Sequence, residues 1–191
     1  MQDPIGHVTE ALSRHLEARP EDADRLTEIA RRLRESPEGL FDRSCMEGHV
    51  TASGLLLSPD MRRALLIDHV ALGRLLQPGG HYEAMATLLE EAIRECFEET
   101  GANGIRAVGP DGDLPLDVDT HVIPANPRKN EGEHLHHDFL FLLRMDDEEG
   151  LTAEKGAIAG LAWRDLADLA EGEDRLGRAS RRAIERIGTI G

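Results

Sequence analysis

Carboxylates are dense in one short segment of the sequence, GGHYEAMATLLEEAIRECFEETG, which spans residues 79–101 and contains six glutamates. The spacing of its apolar residues over 86–100 predicts a helix, and Gly101 is placed to end it. Because residues three and four apart are neighbours on a helix, several of these carboxylates would lie on one face. The members of this acidic face are Glu91, Glu95, Glu98 and Glu99.

An acidic helical face of this kind is locally unfavourable, and a bound cation would reverse the penalty. Like charges four residues apart cost about 0.2 to 0.5 kcal/mol per pair, and anions in the last turn of a helix cost about 0.3 to 1 kcal/mol. Three carboxylates at positions i, i+3 and i+4 converge on a hard ion such as Mg²⁺ or Mn²⁺, which binds carboxylates together with substrate phosphate. The alternative interpretation is a solvated acidic surface on an acidic protein.

The segment closely resembles the box of the Nudix hydrolases. In that family a glycine, five residues, a glutamate and seven residues precede Arg-Glu, an aliphatic residue, any residue, Glu-Glu, any residue, a glycine and a final aliphatic residue. Here Gly80 begins the box, and RECFEETGA at residues 94–102 ends it. The resemblance implies that Arg94 orients a neighbouring carboxylate and that Mg²⁺ or Mn²⁺ is the cofactor. It also implies that the metal ligands are Glu95, Glu98, Glu99 and the carbonyl of Gly80.

One position departs from the family pattern, because Ala86 stands where the family has its first glutamate. That glutamate is the usual partner of the box arginine in the family. We therefore expect Glu90 or Glu83 to pair with Arg94 and activity to survive. The alternative is a domain without catalytic activity.

The resemblance implies a pyrophosphohydrolase that cleaves a nucleoside diphosphate linked to another moiety into a nucleoside monophosphate and a second phosphorylated product. The general base would be one of the box glutamates, or an acid of the later loop MDDEEGLTAEKG at residues 145–156, such as Glu149 or Glu154. Two alternatives are a non-catalytic nucleotide sensor and an enzyme like isopentenyl diphosphate isomerase. Against the isomerase, neither Cys45 nor Cys96 lies in a recognisable loop for proton transfer.

A second group of chemically competent residues lies in EHLHHDFLF, where a loop ends and a predicted strand begins. Strand alternation places His134, His136 and Asp138 on one face. Two imidazoles and a carboxylate at this spacing could hold an additional transition metal, and His81 and His121 could join them. The alternatives are that these histidines bind substrate phosphate or lie at a polar strand edge.

The loop PANPRKN precedes this histidine-rich strand and contains Arg128 and Lys129. In a protein this acidic, two adjacent cations are candidates for binding substrate phosphate. Solvation at the surface is the alternative of equal weight.

Length and charge restrict the classes of partner. The chain has 191 residues, 37 Asp and Glu against 22 Lys and Arg, and a net charge of -15. This charge opposes binding to a nucleic-acid polymer, and no apolar run approaches the roughly 18 residues that a membrane span needs. The N-terminus lacks the features of an export signal, so we expect a cytoplasmic protein that acts on a nucleotide-type diphosphate.

The elements that would position these residues divide the chain into two parts. Residues 1–44 read as two amphipathic helices, an N-terminal extension that serves as a cap or a homodimerisation element. Residues 45–191 form the predicted Nudix hydrolase domain, with an α/β (α+β) fold in which a mixed β-sheet is sandwiched between helices. Strands are predicted at 50–57, 64–70, 116–123, 136–144 and 157–163, with breakers between them such as PGG at 78–80. The predicted buried stripe of the acidic helix is Leu89, Ile93, Cys96 and Phe97.

Overall fold

The computed structural model describes residues 3–83, 87–126 and 131–190, and these contain five α-helices and eight β-strands. The strands are β1 (His49–Leu57), β2 (Arg63–His69), β3 (Arg74–Leu76), β4 (Gly79–His81), β5 (Arg106–Ala107), β6 (Asp117–Ile123), β7 (His134–Arg144) and β8 (Ile158–Asp165). The helices are α1 (Pro4–Ala18), α2 (Thr27–Glu35), α3 (Leu88–Thr100), α4 (Leu166–Ala170) and α5 (Arg175–Gly188). Within the described ranges, no helix has the length and apolar character needed to cross a bilayer.

All eight described strands belong to one mixed sheet, with β1 and β7 at its centre as a parallel pair. Strand β1 also pairs antiparallel with β2 over one part of its length and with β4 over another. On the other side, β7 pairs antiparallel with β5 and β6. Parallel strands cannot be joined by a tight turn, and the long connection from β1 to β7 carries α3 with its carboxylates. The predicted mixed sheet is confirmed.

Different helices cover the two faces of the sheet. Successive side chains of a strand point to opposite faces, and the buried residues of β1 divide accordingly. Val50 and Leu56 belong to a core shared with Cys96 of α3 and with apolar residues of α1 and α2. Leu55 belongs to a second core that it shares with Ala183 of α5. The sheet therefore lies between two helical layers, as predicted.

A buried ion network ties the N-terminal segment to the C-terminal helix. Arg182 of α5 donates hydrogen bonds at 2.8 Å to both carboxylate oxygens of Asp22. It also pairs with Asp117 of β6, and Arg25 bridges the same two aspartates at 2.6 Å each. His15 Nε2 lies 2.7 Å from Asp22. The N-terminal helices therefore pack on the domain, and their predicted role as a cap or dimerisation element stays a prediction.

The segment predicted as a breaker at 78–80 is not a simple turn, because Gly79 and Gly80 begin a strand. They lie opposite Ser53 and Ala52 of β1. A Cβ atom at position 79 would overlap the backbone and side chain of Ser53, so glycine permits this close pairing of strands. The glycines bring β4 against β1 and place His81 at the end of that strand.

The buried face of α3 is rotated from the predicted stripe. Phe97, predicted to be buried, is 52% exposed, whereas Leu88 joins Cys96 in the core. The other two residues of the stripe are only partly buried. Because of this rotation two carboxylates of the acidic face are buried, and Glu91 and Glu99 are 3% and 9% exposed.

Candidate active site

Side-chain and glycine caps define the ends of α3. Thr87 Oγ1 accepts a hydrogen bond from the Glu90 amide at 3.2 Å, and the Glu90 carboxylate accepts one from the Thr87 amide at 2.8 Å. This reciprocal pair satisfies two donors that the first turn of a helix leaves free. Gly101 ends the helix with φ of 68°, as predicted. Since Glu90 is used in the cap, the prediction that it pairs with Arg94 is wrong.

Arg94 pairs with three carboxylates of its own helix. Its guanidinium donates to Glu91, to Glu95 at 2.5 Å and to Glu98 at 2.6 Å. The predicted alternative, Glu83, is not among these partners. Glu91 lies one turn before Arg94 and is buried, so it is a fixed partner that the family pattern does not contain.

Strand β4 holds the inward-facing carboxylates of α3. The amide of Gly79 donates a hydrogen bond to Glu99 Oε2 at 2.9 Å. A Cβ atom at Gly80 would overlap the carboxylate of Glu95, so the side chain lies directly against the backbone of this glycine. Two box glutamates therefore meet the Gly79–Gly80 backbone, where the predicted carbonyl ligand is located.

Burial is the largest cause of a raised pKa at both inward-facing carboxyls. It raises the pKa of Glu95 to about 7, with Arg94 opposing the shift and the charge of Glu98 adding to it. It also raises the pKa of Glu99 to about 7, although a backbone hydrogen bond opposes the shift. A cation beside these groups would favour their ionised forms.

This donor set fits a divalent, oxygen-seeking cation in its chemistry. Glu95, Glu98 and Glu99 are not, however, among the groups of ligand atoms in the described residues that all lie within 4.8 Å of one another. Arg94 pairs with Glu95 and Glu98, and Glu99 accepts a hydrogen bond from Gly79. Closure around an ion therefore requires these side chains to rotate.

Five histidines meet on one face of the sheet beside this site. His49 of β1, His136 of β7 and His121 of β6 lie directly opposite one another across three adjacent strands. The ring centroid of His49 is 4.7 Å from those of His81 and His136 and 5.0 Å from that of His134. The pairing of strands therefore gathers imidazoles that are far apart in sequence.

Asp138 shares the face of β7 with His134 and His136, as the alternation predicts, but its carboxylate is used elsewhere. It accepts hydrogen bonds from Thr51 Oγ1 at 3.0 Å and Ser53 Oγ at 2.6 Å. The metal site predicted at His134, His136 and Asp138 stays a prediction, and a different set of ligand atoms in the described residues lies within 4.8 Å. That set is His49, His81 and His136.

His49 was not among the site residues predicted from the sequence. Its signal was its place directly before the predicted strand at 50–57. The register of β1 against β7 was needed to bring His49 opposite His136, and a parallel pair distant in sequence offers no local cue to that register.

The carboxylates and the histidines line one cleft. Its volume is about 540 Å³, within the roughly 300 to 1,000 Å³ of small-molecule sites. Glu154 lines this cleft, whereas the alternative general base Glu149 does not. Its residues from the two groups include Glu95, Glu98, Glu99, His49, His81 and His136.

The cysteines provide no proton-transfer group. Cys96 is fully buried, and burial raises the pKa of its thiol. Cys45 is not among the residues that line the cleft. This arrangement disfavours the isomerase alternative. Three sequence candidates, Ala86, Arg128 and Lys129, lie outside the described residues.

Known proteins are similar to this chain in sequence and in fold. Residues 48–187 match the family model of the NUDIX domain. A Lactococcus lactis subsp. cremoris protein described as a probable DHNTP pyrophosphohydrolase is 34% identical over 153 residues, which cover 80% of this chain and 84% of that relative. A NUDIX-family hydrolase from Clostridium perfringens is 24% identical with a TM-score of 0.53, covering 71% of this chain and 96% of that one. A C. elegans Ap4A hydrolase is 15% identical with a TM-score of 0.56, covering 73% of this chain and 98% of that one. These two solved structures share its fold.

Proposed function

The chain belongs to the NUDIX family of hydrolases, and we propose that it uses Mg²⁺ or Mn²⁺ to cleave the pyrophosphate bond of a nucleoside diphosphate linked to another moiety. One observation carries this proposal: Glu95 and Glu99 of the box meet the Gly79–Gly80 backbone inside a cleft of nucleotide size. Both carboxyls have a raised pKa there, and a bound cation would lower it by favouring the ionised carboxylates.

The proposed ligands of the divalent ion are the carboxylates of Glu95, Glu98 and Glu99 and the carbonyl of Gly80. When bound, the ion would neutralise diphosphate charge and make the attacking water more acidic. Arg94 would position Glu95 and Glu98, and its buried partner Glu91 would in turn fix Arg94. These fixed carboxylates would reduce the reorganisation needed during attack on phosphorus.

Glu154 is the general base that the cleft favours over Glu149. It lines the cleft, and its amide donates a hydrogen bond at 3.2 Å to the backbone carbonyl of Glu99. This contact holds the loop between β7 and β8, which contains Glu154, beside the end of α3. A box glutamate is the alternative base.

The substrate would lie across the cleft with its phosphates between the carboxylates and the histidines. His81 and His136 line the cleft, and His134 lies next to His136, with 3.3 Å between their Nε2 atoms. We propose that Arg128 and Lys129 bind phosphate from the loop before β7. The cytoplasmic location and the homodimer stay predictions.

A second candidate substrate is DHNTP, because the Lactococcus relative named for this activity is 34% identical to the chain. The proposed chemistry is the same, since both candidates contain a phosphoanhydride bond. The two candidates differ in the number of phosphates and in the groups attached to them.

Product analysis with a panel of diphosphates, DHNTP and Mg²⁺ tests the proposal. Two phosphorus-containing products that appear with wild type, and not with Glu99→Gln, would support it. An isomerised alkene from isopentenyl diphosphate would indicate the isomerase, and binding without turnover would indicate the sensor. Either result would overturn the proposed hydrolysis.

A further inference from the structure

We propose that His49, His81 and His136 bind a divalent transition-metal ion, such as Zn²⁺, at a second site next to the carboxylates. This inference depends on the geometry of the histidines and not on the proposed reaction. One ligand atom from each of the three imidazoles lies within 4.8 Å of the other two. Zinc binds imidazole nitrogen at about 2.0 to 2.1 Å, and small side-chain rotations would bring three nitrogens at this separation onto one ion.

The backbone fixes these three histidines in position. They come from three strands, β1, β4 and β7, that are hydrogen-bonded neighbours in the sheet. His49 lies opposite His136, and His81 lies opposite Thr51, two residues further along β1. Ligands on paired strands are held more rigidly than ligands on loops, which favours metal binding.

His49 provides independent evidence for a ligand at this position. His49 is 1% exposed, and its Nδ1 lies 3.4 Å from the carbonyl of Cys45. Because a carbonyl only accepts, this contact places the proton on Nδ1 and leaves a lone pair on Nε2. Nε2 is buried and has no hydrogen-bond partner in the described part of the chain.

A metal ion would satisfy this buried nitrogen. Leaving a buried polar atom unpaired is destabilising. In metal-binding histidines, the N–H of the ring nitrogen that does not bind the metal almost always donates a hydrogen bond to a carbonyl or a carboxylate. His49 shows this arrangement through its Nδ1 and the carbonyl of Cys45.

His134 has the same arrangement and supplies a fourth imidazole next to the site. Its Nδ1 lies 2.8 Å from the carbonyl of Gly132, so the proton is on Nδ1. Its Nε2 lies 3.3 Å from His136 Nε2. We assign it as the next imidazole available to an ion that His136 binds.

The electrostatics of the group agree with metal binding. Burial, followed by the neighbouring imidazoles, lowers the pKa of His136 to about 2, and burial is also the largest cause that lowers the pKa of His81 to about 4. A neutral imidazole has a nitrogen lone pair that can bind a metal ion. An imidazolium has none, and it is the form that could donate hydrogen bonds to phosphate from both ring nitrogens.

The other group of potential ligands in the described residues differs in this respect. His15, Asp22 and Asp117 also have atoms within 4.8 Å, but Arg25 and Arg182 pair with both aspartates. That group is already neutralised by cations.

Titration of the metal-free full-length protein with Co²⁺, in excess Mg²⁺, tests the site. Magnesium prefers oxygen ligands and would occupy the carboxylates, while imidazoles select transition metals. We expect one Co²⁺ per chain with the visible absorption of nitrogen ligation, and Zn²⁺ should displace it.

Variants locate the ion. His81→Gln and His136→Gln should each weaken Co²⁺ binding at least tenfold, whereas the control His7→Gln, on α1, should bind as wild type does. Glu98→Gln should retain the Co²⁺ spectrum. His81 is on a short strand and is partly exposed, so its variant serves if His136→Gln does not fold.

Three results would overturn the site: no Co²⁺ binding by wild type in excess Mg²⁺, unchanged affinity in folded His81→Gln or His136→Gln, or loss of the spectrum in Glu98→Gln alone. The last result would place the ion at the carboxylates. Each readout is independent of hydrolysis, so failure of the proposed function would leave this test intact.

Discussion

The backbone amide of Gly79 donates a hydrogen bond to the carboxylate of Glu99 at 2.9 Å, which ties strand β4 to the last turn of α3. This contact holds a carboxylate of the box against the Gly79 backbone, in the lining of the cleft. It also keeps Glu99 buried, and burial raises its pKa to about 7.

Glu99→Gln should lose most hydrolytic activity, by roughly 100-fold or more, while the protein remains folded. Removing the buried charge relieves repulsion, so the metal-free variant should melt at the same temperature as wild type or higher. Thermal melts with and without millimolar Mg²⁺ measure the second consequence: wild type should be stabilised by the ion, and Glu99→Gln less so. An equal response of both proteins would mean that the carboxylate does not bind the ion.

Glu91→Gln should lower activity about 10- to 100-fold, because Arg94 loses its buried partner and positions Glu95 and Glu98 less well. The matched control is Glu90→Gln, which keeps a side-chain oxygen for the cap of α3. Steady-state kinetics of both variants make the comparison. A loss in Glu90→Gln alone would support Glu90, the replacement partner expected from the sequence, and refute the role of Glu91.

Gly80→Ala should abolish the stabilisation by Mg²⁺, since a Cβ atom there would overlap the Glu95 carboxylate. Gly160→Ala on β8 is the control, because a Cβ atom at that position would contact nothing within 4 Å. Metal titration followed by calorimetry reports the difference. Wild-type affinity in Gly80→Ala would show that Glu95 can move away without cost to the site.

Arg182→Met should reduce the free energy of unfolding by about 3 to 5 kcal/mol, because it removes a buried cation that pairs with both buried aspartates, Asp22 and Asp117. Arg31→Met removes a surface arginine that pairs with Glu28 and Glu35, and should cost much less because solvent screens these pairs. Urea denaturation at neutral pH measures both. Equal losses would contradict a special role for the buried network.

The same network predicts how stability depends on acid. Burial alone would raise the pKa of Asp22, but hydrogen bonds from Arg182, Arg25 and His15 outweigh it and hold the pKa well below its usual range. The stability from this carboxylate is therefore present above about pH 4 and is lost as pH falls further. As pH falls below 4, the unfolding free energy of Asp22→Asn should therefore decrease less than that of wild type. An unchanged acid profile would mean that Asp22 titrates alike in the folded and unfolded protein.

Local patterns in the sequence were sufficient to predict the long elements. Alternating apolar residues located the strands from His49–Leu57 to Ile158–Asp165, and the box fixed the helix and its end at Gly101. The short strands were missed because two or three residues carry no period of their own, and the glycine pair of β4 was read as a breaker.

The partners within the site could not be predicted because they depend on tertiary packing. The rotation of α3 buried Glu91 and exposed Phe97, and a helical wheel does not determine that angle to one residue. His49 and the engagement of Asp138 by Thr51 and Ser53 required the register between β1 and β7.

The most direct test of the central claim is hydrolysis in ¹⁸O-labelled water with Mg²⁺ and the diphosphate panel, followed by mass spectrometry of the products. Water attack on phosphorus predicts one ¹⁸O atom in one phosphorylated product of wild type, and far slower formation of that product by Glu99→Gln at the same enzyme concentration. Products without ¹⁸O, or labelled product formed equally fast by Glu99→Gln, would contradict hydrolysis by the carboxylates of the box.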